Sequence, residues 1–311
     1  MGGEGLTGSP ILKVAVTFLA CLALSYVLLQ SVFLSILTPL PQIYCYVRLG
    51  RFAGLTLPAV LFIFLWNLSS GFGLSYLLQF GITGAVVSEC ILRKLSIDKS
   101  FALTVATVVI ITFSVLSALA LRDGISADVM IMQLTQRVVE ESISLYEQVE
   151  APREQIEQFK KSSAKIVDTV PKVFPAILVV AVLITLWLNI LALTGYFNRK
   201  GIESPFGILS TWKAPDYFVW GLIVSGISVF AASGLLRTVG INMFLVLCVI
   251  YFFQGMAIIS FFFKKKGLSP LLRTIGYLII VWYLSVVVAV IGLFDLWADF
   301  RKISSPLKKR M

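Results

Sequence analysis

The amide side chains Gln30, Gln42, Asn67, Gln79, Asn189, Asn242 and Gln254 fall within or at the ends of long apolar runs. An amide in lipid must find a hydrogen-bond partner, ordinarily on a neighbouring helix, so each by itself reads as packing. Around Thr38-Pro-Leu-Pro-Gln42 the reading changes, because Pro39 and Pro41 break a hydrophobic segment there. Irregular backbone at membrane depth is tolerated only where protein covers it or where it lines a water-filled cavity. Discontinuous helices of this kind build the substrate sites of many transporters. Pro39, Pro41, Gln42, Asn242 and Gln254 are therefore the candidate substrate or packing residues.

Ionisable groups offer less. Asp216, Asp295, Asp299 and Arg301 are the candidates for a convergent acid–base set, yet each is expected at a helix end, as a cap, anchor or ion-pair member. Glu89 should pair with Arg93 at the i+4 position. No charge is expected at the membrane midplane, which argues against proton coupling through a carboxylate. Histidine is absent. That excludes His-ligated metals, a Ser–His–Asp triad and a histidine proton shuttle. The chain has no GxSxG, HExxH or P-loop pattern, so it is read as a non-enzyme with no catalytic, metal-binding or cofactor-binding residue. Cys21, Cys45, Cys90 and Cys248 lie in or beside apolar runs without CxxC spacing, as packing residues do.

The elements that would position these groups are membrane helices. Of 311 residues 58% are hydrophobic and 14% charged, against roughly 45–50% and about 25% in globular proteins. Too little polar material remains for a water-facing skin. The net charge of +10 sits in short loops without a basic face or stacking platform, so nucleic acid is not an expected partner. The lipid bilayer is. With about 20 apolar residues needed per crossing, the sequence predicts an all-α polytopic bundle of about eight or nine transmembrane helices with one polar helical insert. Residues 1–122 form an N-terminal block of about five helices, the second broken by proline. Residues 123–172 form a polar amphipathic connector, and residues 173–311 a C-terminal block of about four helices with a basic tail.

Within the connector, Val138, Ser142, Leu145, Val149, Pro152, Ile156, Phe159, Ser163, Ile166 and Val170 follow a near-heptad spacing. Pro152 marks a fresh helix start, predicting a hairpin or bent helix. Gly221, Ser225, Ser228 and Ala232 form a small-residue stripe suited to close helix packing. Basic loops should face the cytoplasm, but nine crossings would leave the basic C-terminal tail outside.

Several motifs resemble the YybS-like family, bacterial multipass membrane proteins of unknown function. They are Trp212-Lys-Ala-Pro215-Asp216, Gly240-Ile-Asn242, Tyr251-Phe-Phe-Gln254-Gly255, and Gly292-Leu-Phe-Asp295-Leu-Trp297-Ala-Asp299-Phe-Arg301. The resemblance implies a multipass protein of the bacterial cytoplasmic (inner) membrane. The N-terminal block is similar in outline to substrate-binding subunits of energy-coupling-factor transporters, which implies other membrane subunits as partners and a small-molecule ligand of unknown identity. Two functions follow as expectations: a small-molecule permease or transporter substrate-binding subunit, with an enclosed polar cavity, or a non-transporting membrane scaffold or envelope assembly factor.

Overall fold

Stretches this apolar have no polar face to offer water, and in lipid a helix satisfies its own backbone. The computed structural model describes residues 10–149, 152–199, 201 and 206–302, and among these it contains helices and no strand. In chain order they are α1 (Pro10–Gln30), α2 (Pro39–Leu49), α3 (Arg51–Leu68), α4 (Ser70–Tyr76), α5 (Ile82–Leu92), α6 (Ile97–Arg122), α7 (Ala127–Gln148), α8 (Arg153–Arg199), α9 (Phe218–Ala231), α10 (Gly234–Lys265), α11 (Pro270–Tyr283) and α12 (Ser285–Ala298). A π-helical stretch, Leu77–Gly81, joins α4 to α5, and 3-10 turns occupy Ser35–Leu37 and Leu209–Thr211.

Among the described residues, 6 helical segments are long and apolar enough to cross a membrane: Ile11–Gln30, Arg51–Leu68, Ser70–Leu92, Ile97–Arg122, Arg153–Arg199 and Gly234–Lys265. The chain is an all-helical multipass membrane protein. Three of the expected crossings take other forms. The proline break leaves α2 with 11 residues. α9 has 14, about 21 Å of helix against roughly 30 Å of hydrocarbon. The expected ninth helix, Thr274–Phe294, is instead the pair α11 and α12, bent by 99° at Leu284.

The polar segment is a helical hairpin. α8 starts directly after Pro152, and the hairpin is held by a Lys160–Glu147 ion pair at 3.0 Å and by the Tyr146 and Phe159 rings. α8, 47 residues long in all, then continues into the apolar segment, with Pro171 and Pro175 inside it. The boundary between polar insert and membrane helix therefore falls within one continuous helix.

The chain divides into two compact units, Met1–Leu119 with Ala181–Gly207 and Ala120–Val180 with Ile208–Met311. In the first, α1 packs on α2 and α3, and α2 on α3 and α5. Cys21, Cys45 and Leu57 form one buried cluster, and Leu61, Leu65, Tyr76 and Phe80 another. Glu89 accepts hydrogen bonds from Arg93 at 2.7 Å, Arg51 at 2.8 Å and Tyr46 at 2.8 Å. That carboxylate holds the Arg93 guanidinium above its ordinary pKa. In the second unit α10 is the axis, packed by α9 along one stretch and by α12 along another. The small-residue stripe makes the α9 contact: a Cβ on Gly221 would meet Met243 and Leu247, and one on Gly240 would meet Ser228.

Candidate functional site

Each unit contains a place where regular helix gives out and side chains take over the backbone's hydrogen bonds. In the first unit this is the stretch ahead of Pro39 and Pro41, which have no N–H to donate. Asn189 Nδ2 donates to the Ile36 carbonyl at 2.8 Å and to its own helix at Thr185. Gln42 Nε2 donates to the Gly81 carbonyl at 3.0 Å, where the π-helical stretch ends. Gly84 leaves room for this amide, since a Cβ there would overlap Gln42 Oε1. The oxygens Ser25 Oγ, Thr38 Oγ1, Gln42 Oε1 and Asn189 Oδ1 are buried without a protein partner. The space beside Pro41, about 410 Å³, is nonetheless lined by apolar side chains such as Leu24, Leu40 and Leu193. It is not the polar pocket that a substrate site at Pro39–Pro41 would require. The proline ring turns toward this groove while Gln42 turns to Gly81.

Asn242, on α10, is a splice. Its Oδ1 accepts from Ala176 N at 2.8 Å and its Nδ2 donates to Lys172 O at 2.8 Å. Those two backbone atoms are the i and i+4 partners that a regular helix would join directly. The side-chain amide replaces that rung beside Pro171 and Pro175, and its third bond goes to Thr238 O. It is committed to holding α8 together.

Gln254 is different. α10 and α12 cross in backbone contact: a Cβ on Gly255 would overlap the Val288 carbonyl, and one on Gly292 the Tyr251 carbonyl. Only glycine allows helices this close, and the closeness puts Gln254 Nε2 3.2 Å from Asp295 Oδ2. Asp299 then ends α12 in the left-handed region, φ 37°, a conformation Asp tolerates better than most residues. The reversal folds Arg301 back, and its Nη2 lies 2.7 Å from Asp295 Oδ2. Arg301 Nη1 donates to the carbonyls of Ser210 at 3.0 Å and Trp212 at 2.8 Å. Phe300 N donates to Asp295 Oδ1 at 2.9 Å, and Ala214 N to Gln254 Oε1 at 3.1 Å. The side chains of Arg301 and Asp295 are 1% and 2% exposed.

This arrangement corrects the expectation of no charge at depth. α12 ends against the middle of α10, not at the surface. By helix rise Gln254 lies about 15 Å from Lys264 and about 25 Å from Arg237, the charges bounding the apolar part of α10. The pair touching it is therefore well inside the apolar zone. Two ions in such a medium cost several kcal/mol each in lost solvation, which only close geometry and further hydrogen bonds offset. Both are present here, yet Arg301 Nε and the neighbouring helix's Tyr251 Oη remain buried without a partner.

Asp216 does not join them. It pairs with Lys213 at 2.9 Å, and Asp216 is 71% exposed. Pro215 accepts from Phe218 N at 3.0 Å, opening the first turn of α9. The structure thus brings together Trp212, Gln254, Asp295, Asp299 and Arg301, with Pro215 and Asp216 on the flank. Pro39, Pro41 and Gln42 belong to the other unit, and Asn242 to the α8 splice. Sequence reasoning missed the carbonyls of Ser210 and Trp212, which carry no side-chain signature. The glycines beside Gln254 and ahead of Asp295 were a usable signal of the helix crossing.

The profile of a family described as "Predicted membrane protein (DUF2232)" matches residues 14–296. The chain belongs to this family. Its match runs from within α1 past Asp295, so it takes in both helix breaks and the α10–α12 crossing. No curated protein and no solved structure matches the chain.

Proposed function

We propose that this protein is a small-molecule permease, or the substrate-binding membrane subunit of one, with its site where Gln254, Asp295 and Arg301 meet the 208–217 segment. One observation carries the reading. Ala214 hydrogen-bonds the middle of α10 through Gln254, yet of the charged pair flanking it Asp216 is exposed and Lys213 half-buried. Charges exposed at that depth cannot face hydrocarbon and must face water. An aqueous inlet reaching a buried guanidinium, between a short helix and a bent helix pair, is how transporters are built. The bacterial inner membrane is its proposed location, with the basic loops on the cytoplasmic side.

The test is cysteine accessibility. In a background with Cys21, Cys45, Cys90 and Cys248 replaced, Asp216→Cys should react quickly with a membrane-impermeant maleimide added from one side only. No labelling from either side, with the protein folded, would mean that this region is sealed and would end the proposal.

A second reading, a membrane scaffold, draws on α7. Val138, Leu145 and Val149 recur on one face and stay exposed, at 60–73%, outside the crossing segments. Replacing all three by Ser should abolish the cellular role under this reading and leave it intact if the protein transports.

A further inference from the structure

The apolar groove of the first unit has a charged rim at one end only. Ala20 and Leu24 on α1, Leu40 and Pro41 on α2, and Ala192 and Leu193 on α8 form its body. Thr17, Tyr44 and Tyr196 also line it, and these three fix its polar end. The Tyr44 and Tyr196 rings meet edge-on with centroids 5.9 Å apart, and the Arg48 guanidinium lies beside both hydroxyls. Thr17 Oγ1 is bonded to the Lys13 carbonyl one turn back along α1. Arg199 follows Tyr196 by three residues on α8.

The register shows that these cations share one end. Cys21 contacts Cys45, and α1 and α2 are joined by a short break, so the two helices run in opposite directions. α8 runs alongside α2 in the same direction, with Asn189 at Ile36 and Tyr196 at Tyr44. Lys13, Arg48 and Arg199 therefore ring the mouth. No charged residue occurs from Val14 to Val47, so the deep end is neutral. A second groove on α1, between Leu19, Tyr26 and Val60, is of similar size at about 460 Å³ but has no cation within a turn of its ends. The difference between the two is charge, not volume.

We propose that the first groove binds an anionic phospholipid, one acyl chain along Leu24, Pro41 and Leu193 and the phosphate at Lys13, Arg48 and Arg199. Guanidinium and phenol hydroxyls both donate to phosphate oxygens, and Arg matches that geometry bidentately. The apolar walls exclude a free soluble anion from the body of the site. The inference is independent of the site at Asp295.

The test uses the whole protein in nanodiscs of phosphatidylcholine containing a minor share of phosphatidylglycerol, released for native mass spectrometry. One phosphatidylglycerol should remain bound per chain. Arg48→Gln should lower its retention about fivefold, the effect of one cation near an anionic headgroup. Ala192→Phe should abolish retention by filling the body while leaving every cation in place. Its folding is checked by its melting in detergent, with Ala20→Met as the milder substitute. Equal retention of both lipids would overturn the proposal, as would phosphatidylglycerol binding that survives either groove-filling variant or is unchanged in Arg48→Gln.

Discussion

Around Pro39 and Pro41 the helix break is covered by neutral amides, Asn189 on Ile36 and Gln42 on Gly81. At the end of α12 a carboxylate, a guanidinium and a single amide fill the gap. The first solution takes no charge out of water, although Ser25 Oγ, Thr38 Oγ1, Gln42 Oε1 and Asn189 Oδ1 stay buried there without a protein partner. The second buries two charges, and that costs far more in lost solvation than neutral amides do. A break that needed only closing could have been closed as the first one is. The extra cost, together with the exposed Asp216 nearby, is why a function is proposed for the second.

The largest effect that could break this comparison lies at the ion pair. Asp295→Leu alone should destabilise the protein by about 3–5 kcal/mol, because it strands a buried guanidinium. The double variant Asp295→Leu with Arg301→Met should recover most of that stability in a detergent melting assay but lose the cellular role. A double variant that keeps the role would reduce the pair to a structural clamp.

Gly292→Leu tests how Gln254 reaches Asp295. Its side chain would be driven into the Tyr251 carbonyl, and overpacking of this kind costs about 1–3 kcal/mol. The expected result is loss of stability with loss of the role. Gly226→Leu, in a roomier position facing Phe244, should do neither.

Asn242→Leu should cost about 2 kcal/mol, since it orphans Lys172 O and Ala176 N in an apolar setting. As a purely structural splice, it should lower the melting temperature and leave the reactivity of Asp216→Cys unchanged. Altered labelling would show that α8 and the inlet move together.

The smallest effect sharpens the contrast between membrane and insert. A hydrogen bond from Ser126 holds the Asp128 carboxyl below its ordinary pKa at the start of α7. Its contribution is full above the unfolded value of about 3.9 and fades as pH falls through the lower folded value. Circular dichroism of the intact protein should show no change in α7 from neutral to mildly acid pH. The slight loss at stronger acid should disappear in Asp128→Asn.

Composition and run length made the membrane helices legible, because a chain this apolar has no other stable arrangement in lipid. Pro152 announced the hairpin, and the stripe Gly221–Ser225–Ser228 announced the α9–α10 contact. The depth of Asp295 and Arg301 was not legible. Charges that follow an apolar run read as a helix end at the surface, and nothing local shows that α11 and α12 meet at 99°. Which amides are splices and which belongs to a site was hidden for the same reason. Asn242 and Gln254 are alike in sequence and differ only in what lies across from them.

By itself the sequence determined the solvent, since hydrophobic content and the length of the uncharged runs demand a bilayer whatever the fold. It also determined where backbone ladders must fail, because proline lacks the donor wherever it is placed. Tertiary structure alone decided how deep the charges lie and which carbonyls meet Arg301, because both follow from two helices touching through Gly255 and Gly292. Contacts between residues tens of positions apart depend on crossing and bend angles, which no short stretch of chain encodes.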